Sequence, residues 1–180
     1  QRWNLAQIQE EHDFSIELAS HEIPVVAPLL FSGNSLHQYE DYAFALFPSV
    51  GGRQFEVDNL EQVEWMGRFI GRIHAVAKSK AFVHRPIMSV EEHLLIPQQT
   101  LHYSPLIPDH LHTAFYTILR QVIDLTLERY VPDKNIRLHG DCHPGNILWR
   151  DGPTFVDLDD CRSGPAIQDL WMMLSGNRQQ

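Results

Sequence analysis

Residues 138–149 have the sequence LHGDCHPGNILW, and residues 155–160 have the sequence FVDLDD. Polar side chains are concentrated in these two stretches, and short apolar runs flank them. This pattern predicts loops held between strands, and loops on a rigid scaffold are where catalytic groups concentrate. We therefore take these two stretches as the candidate site and interpret the rest of the chain outward from them.

The strands around the candidate site are predicted to be short. Apolar runs at residues 136–139, 146–149 and 154–157 indicate three of them. The last two are separated by RDGP at residues 150–153, and an Asp-Gly pair between apolar runs predicts a tight β-hairpin. Asp157 then stands at the end of this hairpin.

The spacing of the polar residues matches the catalytic loop of protein kinases. His139, Asp141 and Asn146 keep both intervals of the pattern H-R-D-L-x-x-x-N, and Asp157 follows as a second metal-binding aspartate would. Phosphoryl transfer needs a divalent metal ion and an acceptor for the hydroxyl proton. Magnesium prefers carboxylate and amide oxygens. We therefore assign Asp141 and Asp157 as catalytic, with Asn146 and Asp157 as the magnesium ligands.

A metallohydrolase is the alternative that uses the same region. Its nitrogen and oxygen ligands would be His139, Asp141, His143 and Asp157. This alternative leaves Asn146 and the Pro-Gly turn before it unexplained, and the proline would interrupt a strand that carried both histidines.

Other residues of the region are expected to have local roles. Aspartate in loops commonly makes turns or caps helices, and we expect this of Asp151, Asp159 and Asp160. Arg162 is expected to pair with an acidic neighbour. Cys142 lies beside Asp141, so a redox-sensitive thiol is a further hypothesis, which depends on its exposure and pKa.

Outside the candidate site, helical periodicity dominates. Apolar residues recur at steps of three or four in residues 5–20, 57–78 and 108–130, which predicts three helices with buried apolar faces. A last helix is expected to begin near Pro165. Residues 81–108 contain four prolines and are predicted to be irregular. Long helices with a few short strands predict an α+β fold.

The composition excludes several classes of protein. The net charge is −9, from 14 basic and 23 acidic residues, which disfavours a nucleic-acid partner. No apolar run is long enough for a membrane helix, so we expect no membrane partner. Two cysteines without CxxC spacing suit a reducing cytoplasm. Most of the 11 histidines are scattered and are expected to be solvated or packed.

The resemblance of this chain to a known family rests on several stretches. RLHGDCHPGNILWRDGP at residues 137–153 and GPAIQDLW at residues 164–171 resemble the aminoglycoside-phosphotransferase and choline-kinase-like branch of the protein-kinase-like superfamily. Three more stretches are similar to bacterial stress-response serine/threonine protein kinases of that branch: LFPSVGGRQFE (46–56), GRFIGRIH (67–74) and FVHRP (82–86). The resemblance covers nearly the whole chain.

The resemblance implies a division into two lobes. Residues 1–50 would be a remnant of the N-lobe, with a helix, two strands and a hinge. One of these strands is predicted at residues 42–47, short, aromatic and buried, and it ends at Pro48. Residues 51–180 would be the C-lobe, mostly helical, with the small catalytic β-hairpin.

The resemblance also assigns nucleotide contacts. Glu11 is the candidate partner of an ATP-binding lysine, and Glu10 remains an alternative. Phe47, Ser49 and Val50 lie in the stretch that resembles the hinge for adenine.

Two further residues resemble supports of the catalytic loop. Asp169 would brace the loop by accepting its backbone N–H groups, and His139 would support it from within. Leu158 replaces the phenylalanine of the D-F-G motif, as is usual in this branch.

The function implied by the resemblance is transfer of the γ-phosphoryl of ATP, with magnesium, to a serine or threonine of a protein. A cytoplasmic monomer acting in a stress response is expected. One alternative is a small-molecule kinase for an aminoglycoside, choline or a homoserine-like substrate, and another is a non-catalytic pseudokinase regulator. The phosphate-covering loop and the strand lysine would precede Gln1, so we expect a truncated chain with little activity by itself.

Overall fold

The computed structural model describes residues 2–132 and 134–174. Its helices are α1 (Leu5–Ser20), α2 (Leu60–Ala77), α3 (Ile96–His102), α4 (Asp109–Arg129) and α5 (Gln168–Trp171). Its strands are β1 (His37–Tyr39), β2 (Tyr42–Phe44), β3 (Arg53–Gln54), β4 (Ile136–Leu138), β5 (Ile147–Trp149), β6 (Pro153–Phe155) and β7 (Arg162–Gly164). The predicted α+β class is confirmed.

The strands form three small antiparallel sheets, with orders β1-β2, β3-β5-β6 and β4-β7. In the β5–β6 hairpin, Ile147 lies opposite Phe155. Its turn holds Asp151 at φ 59° and Gly152 at φ 144°, conformations that aspartate and glycine tolerate better than other residues. The predicted hairpin and the turn role of Asp151 are therefore confirmed, whereas β1, β3 and β7 were not predicted.

Helix α1 begins where the sequence predicts. The side chain of Asn4 accepts a hydrogen bond from the Gln7 N–H at 2.9 Å, and the Gln7 side chain accepts one from the Asn4 N–H at 3.0 Å. This reciprocal cap satisfies two backbone donors that the helix itself cannot pair. Phe14 and Leu18 on the inner face are buried in the main core.

A buried arginine joins α1 to the strand that leads to the candidate site. Arg137 of β4 is 1% exposed, and its Nη1 donates to Glu17 Oε2 at 2.6 Å. Its Nη2 donates to the Val76 carbonyl of α2 at 3.1 Å, and the guanidinium lies 4.5 Å from the centre of the Phe14 ring. Since a buried charge needs such partners, this side chain fixes α1, α2 and β4 together.

Helix α2 packs across this core but begins later than predicted. The expected start at residue 57 is wrong, because the Asn59 side chain accepts hydrogen bonds from the N–H groups of Glu61 and Gln62 and so caps a helix that begins at Leu60. Leu60 is exposed rather than part of the apolar face. The buried residues of that face are Met66, Ile70, Ile73 and Ala77.

Two predictions in the connecting segments are wrong. The buried strand expected at residues 42–47 is the short, exposed strand β2, because its partner β1 belongs to the same two-stranded hairpin and no second layer covers both faces. The segment at residues 81–108 is not irregular throughout, since a π-helical turn at Glu91–Leu95 leads into α3. Pro97 is tolerated there because it lies in the first turn of α3.

Helix α4 matches its predicted position but not its predicted burial. Of its residues, only Ile123 is buried within the part of the chain that the structure describes. Leu111, Ile118 and Val122 instead line an open apolar groove of about 500 Å³. Helix α5 begins at Gln168, later than expected, after Pro165. Across residues 2–132 and 134–174, no helix has the length and apolar character needed to cross a membrane.

Candidate active site

The candidate catalytic loop leaves β4 through a glycine with positive φ. Gly140 has φ +86°, a conformation that side chains other than glycine rarely adopt, and an added Cβ would collide with the Asp160 carbonyl oxygen. The loop that carries Asp141 therefore packs directly against the segment that follows Asp157. This close approach brings together the two stretches of sequence singled out at the start.

Asp141 and Asn146 lie side by side across the loop. The Asn146 Nδ2 donates to the Asp141 carbonyl at 2.9 Å and lies 3.3 Å from Asp141 Oδ2. Both partners are acceptors, so the NH₂ group must face them and the amide oxygen Oδ1 must point away. Asn146 is buried and Asp141 is partly exposed. The arrangement leaves one amide oxygen and one carboxylate available for chemistry.

A histidine shapes the turn between these two residues. His143 Nδ1 accepts the Gly145 N–H at 2.9 Å, and the His143 Nε2 lies 3.6 Å from Asp141 Oδ2. A Cβ at position 145 would come 2.6 Å from His143 Cε1, so only glycine fits beneath the ring. Because Nδ1 is an acceptor here, the ring proton sits on Nε2 and faces the carboxylate.

Asp169 braces the loop from below. It is 1% exposed, and its carboxylate accepts the His139 N–H at 3.1 Å and the Gly140 N–H at 3.0 Å. A third donor, His74 Nε2 of α2, lies 3.0 Å from Asp169 Oδ2. These contacts agree with the brace expected of Asp169. His74 was not singled out by sequence, since a single histidine on an apolar helix face is typical of core packing.

His139 lies inside the loop and away from the cavity. It is 1% exposed, and burial holds the pKa of its imidazole below the usual value. Its Nε2 lies 3.0 Å from the Val156 carbonyl, to which it donates as a neutral ring. His139 therefore ties the start of the catalytic loop to the residue before Asp157.

Asp157 stands at the end of the hairpin in a left-handed conformation, with φ 63° and ψ 61°. The preceding Val156 donates its N–H to the Asn146 carbonyl at 3.0 Å, which fixes Asp157 relative to the catalytic loop. Asp157 is exposed and lines a cavity of about 450 Å³. The lining residues are Ile8, Glu11, His12, Val26, Leu36, Ala43, Phe44, Ala45, Phe47, Val156, Asp157, Leu158 and Asp159.

The cavity includes some of the predicted nucleotide contacts and not others. Glu11 and Phe47 line it, whereas Ser49 and Val50 are exposed and do not. The Phe47 ring packs edge-on against the His12 ring at 5.9 Å, and His12 Nδ1 lies 2.9 Å from the Ser35 hydroxyl. The cavity lining is therefore partly apolar, around Phe47, and partly acidic, at Glu11, Asp157 and Asp159.

Of the two glutamates left open by sequence, Glu11 faces the cavity. Burial raises the pKa of its carboxyl to about 7, against the opposing charge of Arg85 and with a smaller contribution from Asp159 and Asp157. The Glu10 carboxylate turns the other way and accepts backbone N–H groups of residues 83–85. Glu11 is thus the one placed to meet a cation at this cavity.

The raised pKa of Glu11 predicts a pH-dependent stability. Between about pH 4.5 and 7 the folded carboxyl keeps a proton that the unfolded chain has lost, so the free energy of unfolding should fall as the pH rises. The full effect above pH 7 is about 3 kcal/mol. Glu11→Gln should remove this contribution, so that the free energy of unfolding in urea falls less between pH 5 and pH 8 for the metal-free chain. Glu128→Gln, at an exposed position, should keep it, and equal slopes for both variants would contradict the prediction.

The oxygen donors of Asn146 and Asp157 suit magnesium better than they suit the transition metal of a metallohydrolase. Asn146 Oδ1 and the Asp157 carboxylate are oxygen donors on two loops that the Val156–Asn146 backbone hydrogen bond joins, and such donors fit an ion that takes few protein oxygens and otherwise water and phosphate. His139 is buried and His143 Nδ1 is already engaged, so the four metallohydrolase ligands do not converge. Among the described residues, no group of three histidine, cysteine or acidic side chains is placed to hold a metal ion.

The remaining local expectations are partly met. Arg162 Nη2 pairs with Asp160 Oδ1 at 2.8 Å, as predicted. Asp159 lines the cavity rather than only a turn, and burial together with the neighbouring Asp157 raises the pKa of its carboxyl. Cys142 is 1% exposed, and burial raises the pKa of its thiol well above the usual value. A redox-sensitive Cys142 is therefore not supported.

Comparisons with known proteins agree with this geometry. The model of the phosphotransferase enzyme family (APH) matches residues 1–180. Stress response kinase A of Shigella flexneri is 49% identical over 181 residues, which is 100% of this chain and 55% of that protein. Serine/threonine protein kinase RdoA of Salmonella typhimurium is also 49% identical with the same coverage. The chain thus spans about half the length of the curated relatives it matches.

Solved structures show the same fold at lower identity. Amicoumacin kinase hAmiN, in complex with AMP-PNP, Ca²⁺ and Ami, has a TM-score of 0.75 at 22% identity, with 95% of this chain and 53% of that chain covered. A microcompartment-associated aminopropanol kinase has a TM-score of 0.71 at 19% identity, with 97% and 59% covered. The protein-kinase-like fold expected from the sequence is therefore confirmed. The chain belongs to the phosphotransferase enzyme family.

Proposed function

We propose that the gene product carrying this chain transfers the γ-phosphoryl of ATP to a serine or threonine hydroxyl of a protein, in a bacterial stress response. The observation that carries the proposal is the pairing of Asn146 with Asp141 on a loop braced by Asp169, together with a cavity that Asp157 lines. A protein acceptor is supported by the name of one relative that is 49% identical, serine/threonine protein kinase RdoA, and the stress response by the name of another, stress response kinase A.

In this proposal Asp141 accepts the proton of the attacking hydroxyl. Its carboxylate is partly exposed, and the bonds from Asn146 and the turn at His143 hold it in place. A positioned base of this kind contributes about 10²–10⁴-fold in rate. The chemistry asks for little more from the protein than alignment and charge.

Asn146 and Asp157 would hold magnesium, which when bound neutralises charge on the phosphates. The amide of Asn146 is turned by its two bonds to Asp141 so that Oδ1 remains for the ion. Asp157 would reach the same ion, because the Val156 N–H is bonded to the Asn146 carbonyl and keeps the two loops together. These two contacts fix the relative positions of Asn146 and Asp157, which lie on different loops.

The apolar end of the cavity would receive the adenine of ATP. Phe47, Ala45 and Leu36 supply flat or small apolar walls, and the acidic end at Glu11, Asp157 and Asp159 faces the expected metal position. A volume of about 450 Å³ is within the usual range for small-molecule sites. Adenine would therefore lie at the opposite end of the cavity from the transferred phosphoryl group.

A small-molecule kinase is the second candidate. Two solved structures of similar fold are, by their titles, an amicoumacin kinase and an aminopropanol kinase. A cationic hydroxyl compound would also suit the acidic end of the cavity. The acceptor thus separates the two candidates, whereas the site is common to both.

The test is transfer of labelled γ-phosphate from Mg-ATP by the intact gene product. The acceptors are the protein itself, a generic basic protein and a panel of amino alcohols and aminoglycosides. Label on protein serine or threonine is expected, and label on small molecules alone would establish the second candidate. Nucleotide binding without any transfer would instead indicate a pseudokinase regulator.

A further inference from the structure

A carboxylate of α1 holds a remote loop by its backbone. Glu10 accepts the N–H groups of Val83, His84 and Arg85 at 2.6, 2.7 and 2.8 Å. Burial alone would raise the pKa of Glu10, but these three donors outweigh it and the net shift is downward. The Gln7 side chain adds a bond to the His84 carbonyl at 3.1 Å. The loop at residues 83–85 is thereby fixed to the helix that carries Glu11.

The same loop sends a buried arginine to the segment after Asp157. Arg85 is 3% exposed, its Nε donates to the Cys161 carbonyl at 2.7 Å, and its Nη2 donates to the Asp159 carbonyl. Its guanidinium lies 4.2 Å from the centre of the Trp3 ring. Arg85 therefore holds the backbone on either side of Asp160 by two hydrogen bonds. These bonds use the Asp159 carbonyl, so the Asp159 side chain can still line the cavity.

Burying the charge of Arg85 destabilises the fold, so we expect this side chain to have a specific role. A buried guanidinium needs several hydrogen bonds to offset its lost hydration, and its Nη1 has no partner among the described residues. An apolar side chain could fill the same space without that cost. A planar fork that reaches two carbonyls at once, however, fixes the path of a backbone segment as few other side chains can.

We propose that Arg85 is a positioning residue for the metal-binding segment, and that Glu10 positions Arg85. The contacts form one continuous connection from α1 through residues 83–85 to Asp159 and Cys161, so that Glu11 and Asp157 keep a fixed separation across the cavity. The inference rests on the proposed function, because it assigns Asp157 to a metal ion. It adds two residues that do not touch the nucleotide or the reacting atoms.

A matched control is an arginine that contacts the backbone at the C-terminal end of α1. Arg72 of α2 donates from Nη2 to the carbonyls of His21 and Glu22, each at 3.1 Å, so it anchors the end of α1 without contacting the metal-binding segment. If anchoring α1 were all that mattered, Arg72 and Arg85 variants would behave alike. If Arg85 positions the segment, only its variants should affect metal-dependent binding.

The test measures ADP binding by calorimetry, with and without Mn²⁺, in the intact gene product. Arg85→Met and Glu10→Gln should weaken Mn²⁺-dependent ADP binding by about 10–100-fold, as loss of supporting contacts around a metal does, with metal-free ADP binding little changed. Arg85→Lys should be intermediate, because it keeps the charge but not the fork. Arg72→Met should leave both affinities unchanged. Melting temperatures of all variants report folding separately.

Each outcome decides the proposal. Normal Mn²⁺-dependent binding by folded Glu10→Gln and Arg85→Lys proteins would overturn it, even if Arg85→Met fails to fold. An equal loss of Mn²⁺-dependent ADP binding in Arg72→Met would show that Arg85 has only a general structural role. Absence of nucleotide binding by the unaltered protein would instead refute the proposed function itself, so the two failures are distinguishable.

Discussion

Replacing Asp141 with asparagine is expected to lower kcat for phosphoryl transfer by about 10²–10⁴-fold, because the amide cannot accept the proton of the attacking hydroxyl. The fold should persist, since the new amide oxygen can still accept the bond that Asn146 Nδ2 gives to Asp141 Oδ2. The bond to the Asp141 carbonyl is untouched by the change. We therefore expect the KM for ATP and the melting temperature to change little.

The matched control is Asp151→Asn. Asp151 is an exposed turn residue at the tip of the β5–β6 hairpin with φ 59°, which asparagine adopts readily. The same chemical change there should leave kcat and stability as they are. Full activity of Asp141→Asn, or a comparable loss in Asp151→Asn, would contradict the assignment of Asp141 as the base.

Replacing Asp169 with alanine should give the largest loss of stability. The carboxylate is 1% exposed and accepts from His74 Nε2, the His139 N–H and the Gly140 N–H. Its removal leaves three buried donors without an acceptor, which should lower the free energy of unfolding by about 3–5 kcal/mol. Catalysis should fall as well, because the loop that carries Asp141 loses its support.

Urea unfolding followed by circular dichroism measures this effect. Asp124→Ala is the control, since Asp124 is exposed on α4 and its loss should change the free energy of unfolding by less than about 0.5 kcal/mol. Asp169→Asn should fall between the two, because its amide oxygen still accepts while its NH₂ group faces another donor. A stable and active Asp169→Ala protein would show that the loop does not depend on this brace.

The part of the site that sequence could predict is the part set by local geometry. Asp141 and Asn146 are joined by one short turn, so their spacing alone specifies that they meet. The hairpin then carries the chain to Asp157 by a pattern of turn and strand residues that is equally local. His74 and Arg85 reach the site from distant segments. His74 and Asp169 are 95 positions apart in sequence, and no local pattern indicates such a contact.

Burial was harder to predict than helix position. Periodicity shows that one face of a helix is apolar, but it does not show what covers that face. On α2 the face meets the core at Met66 and Ile70, whereas on α4 Leu111 and Ile118 remain exposed in the described structure. The same limit explains β2, whose aromatic residues resembled a buried strand but lie in a separate hairpin.

The bond between Glu17 and Arg137 has a consequence for biosynthesis. The two residues are 120 positions apart, and a ribosome adds about 5–20 residues per second. Helix α1 therefore emerges about 6–24 s before the strand that completes its surroundings. During that interval Phe14 and Leu18 lack core residues that bury them in the folded structure, so the nascent protein exposes an apolar stripe that chaperones can bind before the candidate site is complete.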